Sequence, residues 1–116
     1  MTYAQVDDLV AEIGVPYAYY QFREGTAQSC PFVCFYFTDS NDFLADDCNY
    51  APIRPLIIEL YTDVKDFALE ATVEAALNGA GLVYERSESY IDSERMNMVA
   101  YSMQVIITEE ENNGRK

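Results

Sequence analysis

Two pairs of carboxylates, each in a predicted turn, have the spacing in this chain that comes closest to a catalytic or cation-binding site. Asp39 and Asp42 stand in one turn, and Asp46 and Asp47 stand in the next. Such pairs can exchange protons or hold a hard cation such as Ca²⁺. They do not fit a calcium loop, because Phe43 takes the place of a ligand and no glutamate closes the loop. Solvated turn formers are the commoner role of acidic residues in such segments.

Other catalytic signatures are missing from the sequence. The chain has no histidine, which excludes Ser-His-Asp and Cys-His catalysis, and it has no glycine-rich phosphate-binding motif. Cys30 and Cys34 lack the two-residue separation of a redox pair or zinc knuckle, and Cys48 leaves an odd count. We therefore predict buried or half-buried thiols, no metal, no cofactor and no enzymatic activity.

The charge is strongly acidic, with 20 acidic residues against 7 basic ones and a net charge of −13. This balance disfavours binding to nucleic acid phosphates or to anionic membranes, both of which need clustered Lys and Arg. Repulsion of DNA and mimicry of DNA remain as functional interpretations, beside simple solubility through self-repulsion. No apolar run reaches the roughly 18 residues of a membrane span, and the first residues lack the pattern of a signal peptide. We expect a cytosolic location.

Hydrophobic periodicity predicts seven elements in the order α-β-β-β-α-β-β. The first helix begins with a capping box of Thr2 and Gln5 and ends at Gly14. The predicted strands cover residues 17–22, 32–38, 56–61, 82–91 and 98–108. The order predicts an α+β domain with two helices packed on one face of a largely antiparallel sheet. We expect residues 1–108 to form a single domain, residues 39–54 to form a long hairpin loop with or without a short strand near Phe43, and residues 109–116 to be a disordered polar tail.

The second helix is predicted to begin at an Asp63 N-cap and to run to about Asn78. Its inner stripe comprises Leu69, Thr72, Val73, Ala76 and Ala80. Its outer face comprises Asp66, Glu70, Glu74 and Asn78. Phe67 falls on the outer side, so it either folds under the first turn or contacts a partner.

The segment 32–38 is apolar on both of its faces. Phe32, Cys34 and Tyr36 alternate with Val33, Phe35 and Phe37. A strand covered on both sides has this pattern. The same pattern suits a strand with one face on the core and the other buried by a neighbouring subunit.

Tyrosine is unusually frequent, with ten residues in the chain. Tyrosine is enriched at protein interfaces because it combines apolar area with a polar tip. A half-buried sheet face would explain any one tyrosine, whereas the set favours an assembly surface. The residues that we predict to form subunit contacts are Tyr36, Tyr61, Phe67 and Tyr101.

Several segments together resemble one class of viral protein. They are the first helix with its Gly-x-Pro turn, Tyr19-Tyr20-Gln21-Phe22, Gly25-Thr26-Ala27, Pro31-Phe32-Val33-Cys34-Phe35-Tyr36, Glu59-Leu60-Tyr61-Thr62-Asp63, Lys65-Asp66-Phe67-Ala68-Leu69-Glu70 and Tyr90-Ile91-Asp92-Ser93-Glu94. The pattern resembles small proteins of siphophage and prophage morphogenesis clusters in Gram-positive bacteria, of the tail terminator (tail completion) class. The resemblance covers most of residues 3–108.

The resemblance implies a hexameric ring that caps the tail tube and joins it to the head-side neck. The implied partners are other copies of the chain, the tail-tube protein and a head–tail connector or neck protein, with DNA only as passing cargo. The implied location is the host cytoplasm during assembly and then the tail or neck of the virion. An acidic channel would repel DNA phosphates, and the residues predicted to line it are Asp39, Asp42, Asp46 and Asp47, with Glu85 and Glu88.

Three other functions compete with the terminator. One is a different head–tail joining or minor tail component. Another is a small acidic DNA mimic that inhibits a host nuclease or defence system, although the scattered placement of the acidic residues weakens this reading. An enzyme is the least favoured, since the catalytic motifs are absent from the sequence.

Overall fold

Seven elements follow one another in the predicted order. The computed structural model describes residues 1–21, 29–38 and 53–108. The elements are α1 (Tyr3–Ala11), β1 (Tyr17–Tyr19), β2 (Phe32–Phe37), β3 (Ile53–Thr62), α2 (Phe67–Gly79), β4 (Tyr84–Ile91) and β5 (Met96–Ile106). Most of the predicted loop 39–54 and the whole tail 109–116 lie outside the described residues. No helix of the described ranges is long and apolar enough to cross a membrane.

The five strands form one sheet in the order β1-β2-β3-β5-β4. The pairs β2–β3, β3–β5 and β4–β5 are antiparallel, whereas β1 pairs with β2 in parallel. The prediction of a largely antiparallel α+β fold is confirmed. The parallel pair β1–β2 is the exception in this largely antiparallel sheet. Residues 20–31 separate β1 from β2, and a connection of that length permits a parallel return.

Both helices pack on one face of the sheet, which we call the inner face. The side chains of β5 alternate between the two faces, and Val99, Tyr101, Met103 and Val105 are buried. A single core cluster joins these residues to residues in or just after α1 (Val6, Leu9, Val10 and Ile13), to Val73 and Leu77 of α2, and to Val33, Phe35, Leu56, Ile58 and Leu60 of β2 and β3. The face opposite the helices, which we call the outer face, contributes none of these residues.

The first helix begins where the capping box places it. The backbone N–H of Gln5 donates to Thr2 Oγ1 at 3.1 Å, and the N–H of Thr2 donates to Gln5 Oε1 at 2.8 Å. Beyond the helix, Gly14 has a φ of +92°, a left-handed conformation that favours glycine. Both features of α1 were predicted from the sequence.

The second helix begins three residues later than predicted. Its N-cap is Asp66 rather than Asp63, because the Asp66 side chain accepts a hydrogen bond from the Leu69 N–H at 3.0 Å. This helix is also rotated relative to the prediction. Glu70, placed on the outer stripe, is only 4% exposed, whereas Thr72, placed on the inner stripe, is exposed. The rotation turns the Glu70 carboxylate toward β4, where Arg86 binds it.

The third strand is longer than the predicted segment 56–61. It includes Pro55, which lacks a backbone N–H but still accepts through its carbonyl oxygen from the Thr38 N–H at 3.0 Å. Strand β4 begins two residues later than predicted, and β5 is displaced by two residues toward the N-terminus. These differences concern only where each strand begins and ends, so they do not change which side chains of a strand share a face.

Candidate functional site

The outer face of the sheet carries side chains that are unusually apolar for a surface with no described helix over it. The register aligns Phe32 with Tyr61 and Met98, Cys34 with Glu59 and Ala100, and Tyr36 with Ile57 and Ser102. Cys34 is buried and the others are half-buried. An antiparallel sheet that faces water normally alternates apolar and polar positions. The apolar side chains of segment 32–38 therefore point alternately toward the helix-covered core and toward this outer face.

One carboxylate lies near the middle of the outer face and is held by two tyrosines. The Tyr36 hydroxyl donates to Glu59 Oε2 at 2.9 Å, and the Tyr61 hydroxyl donates to Glu59 Oε1 at 2.6 Å. The Tyr61 ring also stacks on Phe32, with 4.8 Å between ring centroids. Hydrogen bonds to both oxygens let a charged group sit within a mainly apolar surface.

The groups around Glu59 hold their protons tightly. Burial, followed by the hydrogen bond to Glu59 and its charge, raises the pKa of Tyr36 to about 12. The same causes raise the pKa of Tyr61. Burial, followed by the charge of Glu59, raises the pKa of the Cys34 thiol to about 11. At neutral pH these groups are hydrogen-bond donors and a neutral thiol, which suits a contact surface rather than acid–base or nucleophilic chemistry.

We expect Cys34 to resist alkylation at mildly alkaline pH. With a pKa of about 11, roughly one thiol in a thousand is ionised near pH 8, and only the thiolate reacts. Cys30 is half-buried and should react faster. The rates follow from iodoacetamide labelling and peptide mass spectrometry, and the Cys34 rate should rise as the pH approaches 11. Glu59→Gln should accelerate labelling modestly, because it removes the charge that adds to the effect of burial on this pKa. Labelling of Cys34 in the folded protein at the rate of the denatured chain would contradict the burial.

A cleft of about 420 Å³ opens at one end of the outer face. We call it the apolar cleft, because aromatic, aliphatic and sulfur-bearing side chains make up most of its wall. Those side chains are Tyr20, Phe32, Cys34, Tyr61, Ile91 and Met96. Gln21 and Glu94 add the polar part of its lining.

The predicted contact residues occupy three different places. Tyr36 and Tyr61 lie on the outer face, and Phe67 is the first residue of α2 with 73% of its surface exposed. Tyr101 is fully buried on the inner face, so the prediction of a contact role for it is wrong in this fold. Its neighbour across the sheet is Ile58, and the two helices cover that face.

The predicted channel residues cannot all be placed. Asp39, Asp42, Asp46 and Asp47 lie outside the described residues. Glu85 is exposed on the outer side of β4, at the edge of the sheet. Glu88 lies on the inner side, where the Lys65 ammonium binds it at 2.9 Å. No group of three or more Cys, Asp or Glu residues within the described ranges is arranged to hold a metal ion.

An ion-pair network that the sequence analysis missed joins α2 to β4. Arg86 binds Glu70 and also contacts Glu74 Oε2 at 3.3 Å through its Nε. Lys65 Nζ lies 2.8 Å from Glu70 Oε2. A hydrogen bond to Glu70 raises the pKa of Arg86. Hydrogen bonds to Glu70 and Glu88 raise the pKa of Lys65. The sequence did hold one signal of this network, which is Arg86, a cation at an inner-face position of β4.

Of the comparisons with known proteins, the comparison with solved structures gave a match. No protein-family model matches the chain, and no curated protein matches it. Among solved structures, the fold matches a chain in a structure described as the virion of a native gene transfer agent (GTA) particle. The two chains are 19% identical, the match covers 83% of this chain and 81% of the other, and the TM-score is 0.57. The protein therefore shares its fold with a chain of that virion.

Proposed function

We propose that this chain is a structural subunit of a phage-like virion, and that it is the tail terminator. In this role it forms a ring that caps the tail tube and joins it to the head-side neck. The likeness to a chain of the gene transfer agent virion carries the proposal, because it extends over most of both chains. The sequence resemblance to tail terminator proteins supports the finer role.

The surface of the described residues supports assembly through contacts between unlike patches. Apolar side chains are exposed at the start of α2, beside the helix-covered face, and other apolar side chains form the outer face. A ring of identical subunits closes through heterologous contacts, in which one patch of a subunit meets a different patch of the next. The two patches lie on different sides of one sheet and are therefore unlike surfaces, which a heterologous contact can join.

The charge of the chain fits a passage for DNA. A net charge of −13 repels phosphates, so a duplex moving through such a ring would not bind its wall. Asp39, Asp42, Asp46 and Asp47 are the proposed lining of this channel, together with the exposed Glu85. A structure of the ring with these carboxylates all on its outer wall would contradict this part of the proposal.

Mass measurement with and without the tail tube tests the proposal. Light scattering coupled to size exclusion should give a species of about six times the 13.2 kDa subunit mass, alone or once the cognate tail-tube protein is added. The tube protein should co-elute with it. A monomer that ignores the tube would contradict the terminator role. Displacement of DNA from a nuclease by that monomer would then favour the DNA mimic.

A further inference from the structure

Two large apolar side chains project into solvent just before and at the start of α2. Val64 is 71% exposed and Phe67 is 73% exposed, although the chain has a well-formed core. We call this pair the apolar knob. Exposed aromatic side chains that are fixed in place are frequent anchors of protein interfaces.

The polar residues between the two knob side chains fix the backbone that carries them. Asp66 caps α2 through its hydrogen bond from the Leu69 N–H. Lys65 reaches Glu70 and Glu88, and its Nζ lies 4.9 Å from the centre of the Phe67 ring. Because these contacts lie within the subunit, they hold the backbone of the knob without a partner, which lowers the entropic cost of contact.

The apolar cleft offers a complementary shape on the other side of the sheet. Its volume of about 420 Å³ can receive an aromatic ring, and the stacked pair of Phe32 and Tyr61 forms part of its wall. Met96 and Cys34 add sulfur atoms, which make favourable contacts with aromatic rings. The cleft therefore suits an apolar aromatic side chain better than a charged one.

We propose that the apolar knob of one copy enters the apolar cleft of the next copy. The knob lies on the helix side of the sheet and the cleft lies on the outer face, so the contact is heterologous and can be repeated around a ring. The ring in this inference rests on the proposed function, but the knob–cleft contact can be measured independently of the ring.

The small area of the apolar knob limits how strongly the knob–cleft contact by itself can hold two copies together. A buried phenylalanine removes roughly 150–250 Å² from water, against about 800 Å² per partner in a standard interface. Each copy also carries a net charge of −13, so copies repel one another. The knob is therefore an anchor within a larger interface, and contact between copies should strengthen as salt screens the repulsion.

Photocrosslinking tests the contact directly. Position 67 is replaced by p-benzoylphenylalanine in one isotope-labelled batch, which is mixed at high salt with unlabelled wild-type chain and irradiated. Crosslinks from position 67 to cleft residues of the other isotope are expected, with Ile91 and Met96 among them. The same photoreactive residue at Val83, which is 89% exposed, is the matched control and should not reach the cleft. Absence of inter-copy crosslinks from position 67, or crosslinks only outside the cleft, overturns the inference.

A substitution series supplies the second readout. Phe67→Asp should reduce the assembled fraction on the order of tenfold or more, since it removes an anchor and adds a charge. Val83→Asp adds the same charge at another exposed site and should change assembly little. Circular dichroism checks that both variants fold. Crosslinks in the cleft without a tube-capping ring would support the contact and reject the terminator. A ring whose assembly survives Phe67→Asp would support the terminator and reject the contact.

Discussion

Replacing Arg86 with methionine should lower the free energy of unfolding by about 3 kcal/mol. Arg86 is a direct partner of the Glu70 carboxylate, whose side chain is only 5% exposed. Without the guanidinium, that carboxylate keeps Lys65 as a partner and lies one helical turn from Glu74, a like charge. Methionine preserves much of the apolar volume, so the loss reports the charge and not a cavity. The melting temperature should fall on the order of 10–20 °C in a thermal scan.

A double substitution separates the charge from other effects of the change. Glu70→Gln in the Arg86→Met background removes the buried charge that has lost its partner, so it should restore a large part of the lost stability. A coupling energy of roughly 1–3 kcal/mol is expected from the double-mutant cycle. Arg95→Met, in the exposed turn between β4 and β5, is the matched control and should change stability by no more than about 0.5 kcal/mol. Equal losses for Arg86→Met and Arg95→Met would show that the network adds nothing specific.

The elements that local chemistry specifies were predictable from the sequence. The capping box of Thr2 and Gln5 acts within one turn, so its residues suffice to place the start of α1. The alternation of buried side chains along β5 is a local pattern of the sequence, so it does not depend on where the ends of the strand are drawn. The fold class followed from the order of these elements.

The features that depend on contacts distant in sequence were not predictable. Glu70 lies in a helix whose apolar stripe gave it an outer position, and its burial is explained by two cations outside the helix, Arg86 on β4 and Lys65. The parallel pairing of β1 with β2 likewise depends on where the sheet leaves an edge free. The start of α2 was displaced because Asp63 and Asp66 are both good N-caps, and the sequence does not rank them.

The sequence predicted the face of some candidate contact residues, whereas their role in subunit contacts stays a prediction. Tyr36 and Tyr61 occupy the outer face, where the two-faced apolar pattern of segment 32–38 had suggested a second partner. Tyr101 was grouped with them because of its residue type, although its position in the alternation of β5 placed it with Val99 and Met103 in the core. Periodicity was the better guide there, since burial of a tyrosine depends on its face and on a partner for its hydroxyl.

Replacing Tyr101 with alanine should lower the free energy of unfolding by about 4 kcal/mol. The ring is fully buried at the centre of the sheet and meets Tyr84 edge to face, with 5.4 Å between centroids. Its hydroxyl donates to Glu74 Oε2 at 2.9 Å, within the network of Arg86. Alanine would open a cavity and remove this donor, whereas Tyr101→Phe keeps the ring and should cost only about 1 kcal/mol. Chemical denaturation of the three proteins measures both losses.

The same pair of variants distinguishes a core tyrosine from a contact tyrosine. Because the Tyr101 hydroxyl bonds within its own subunit, Tyr101→Phe should lower stability without changing the crosslinks from position 67. The matched change Tyr61→Phe alters a residue of the apolar cleft and frees one oxygen of the half-buried Glu59 from its donor. We expect this variant to weaken contact between copies, because the freed oxygen must be desolvated when the next copy covers it. If Tyr101→Phe weakened assembly as much as Tyr61→Phe, the division of this sheet into a structural inner face and a contact-forming outer face would be wrong.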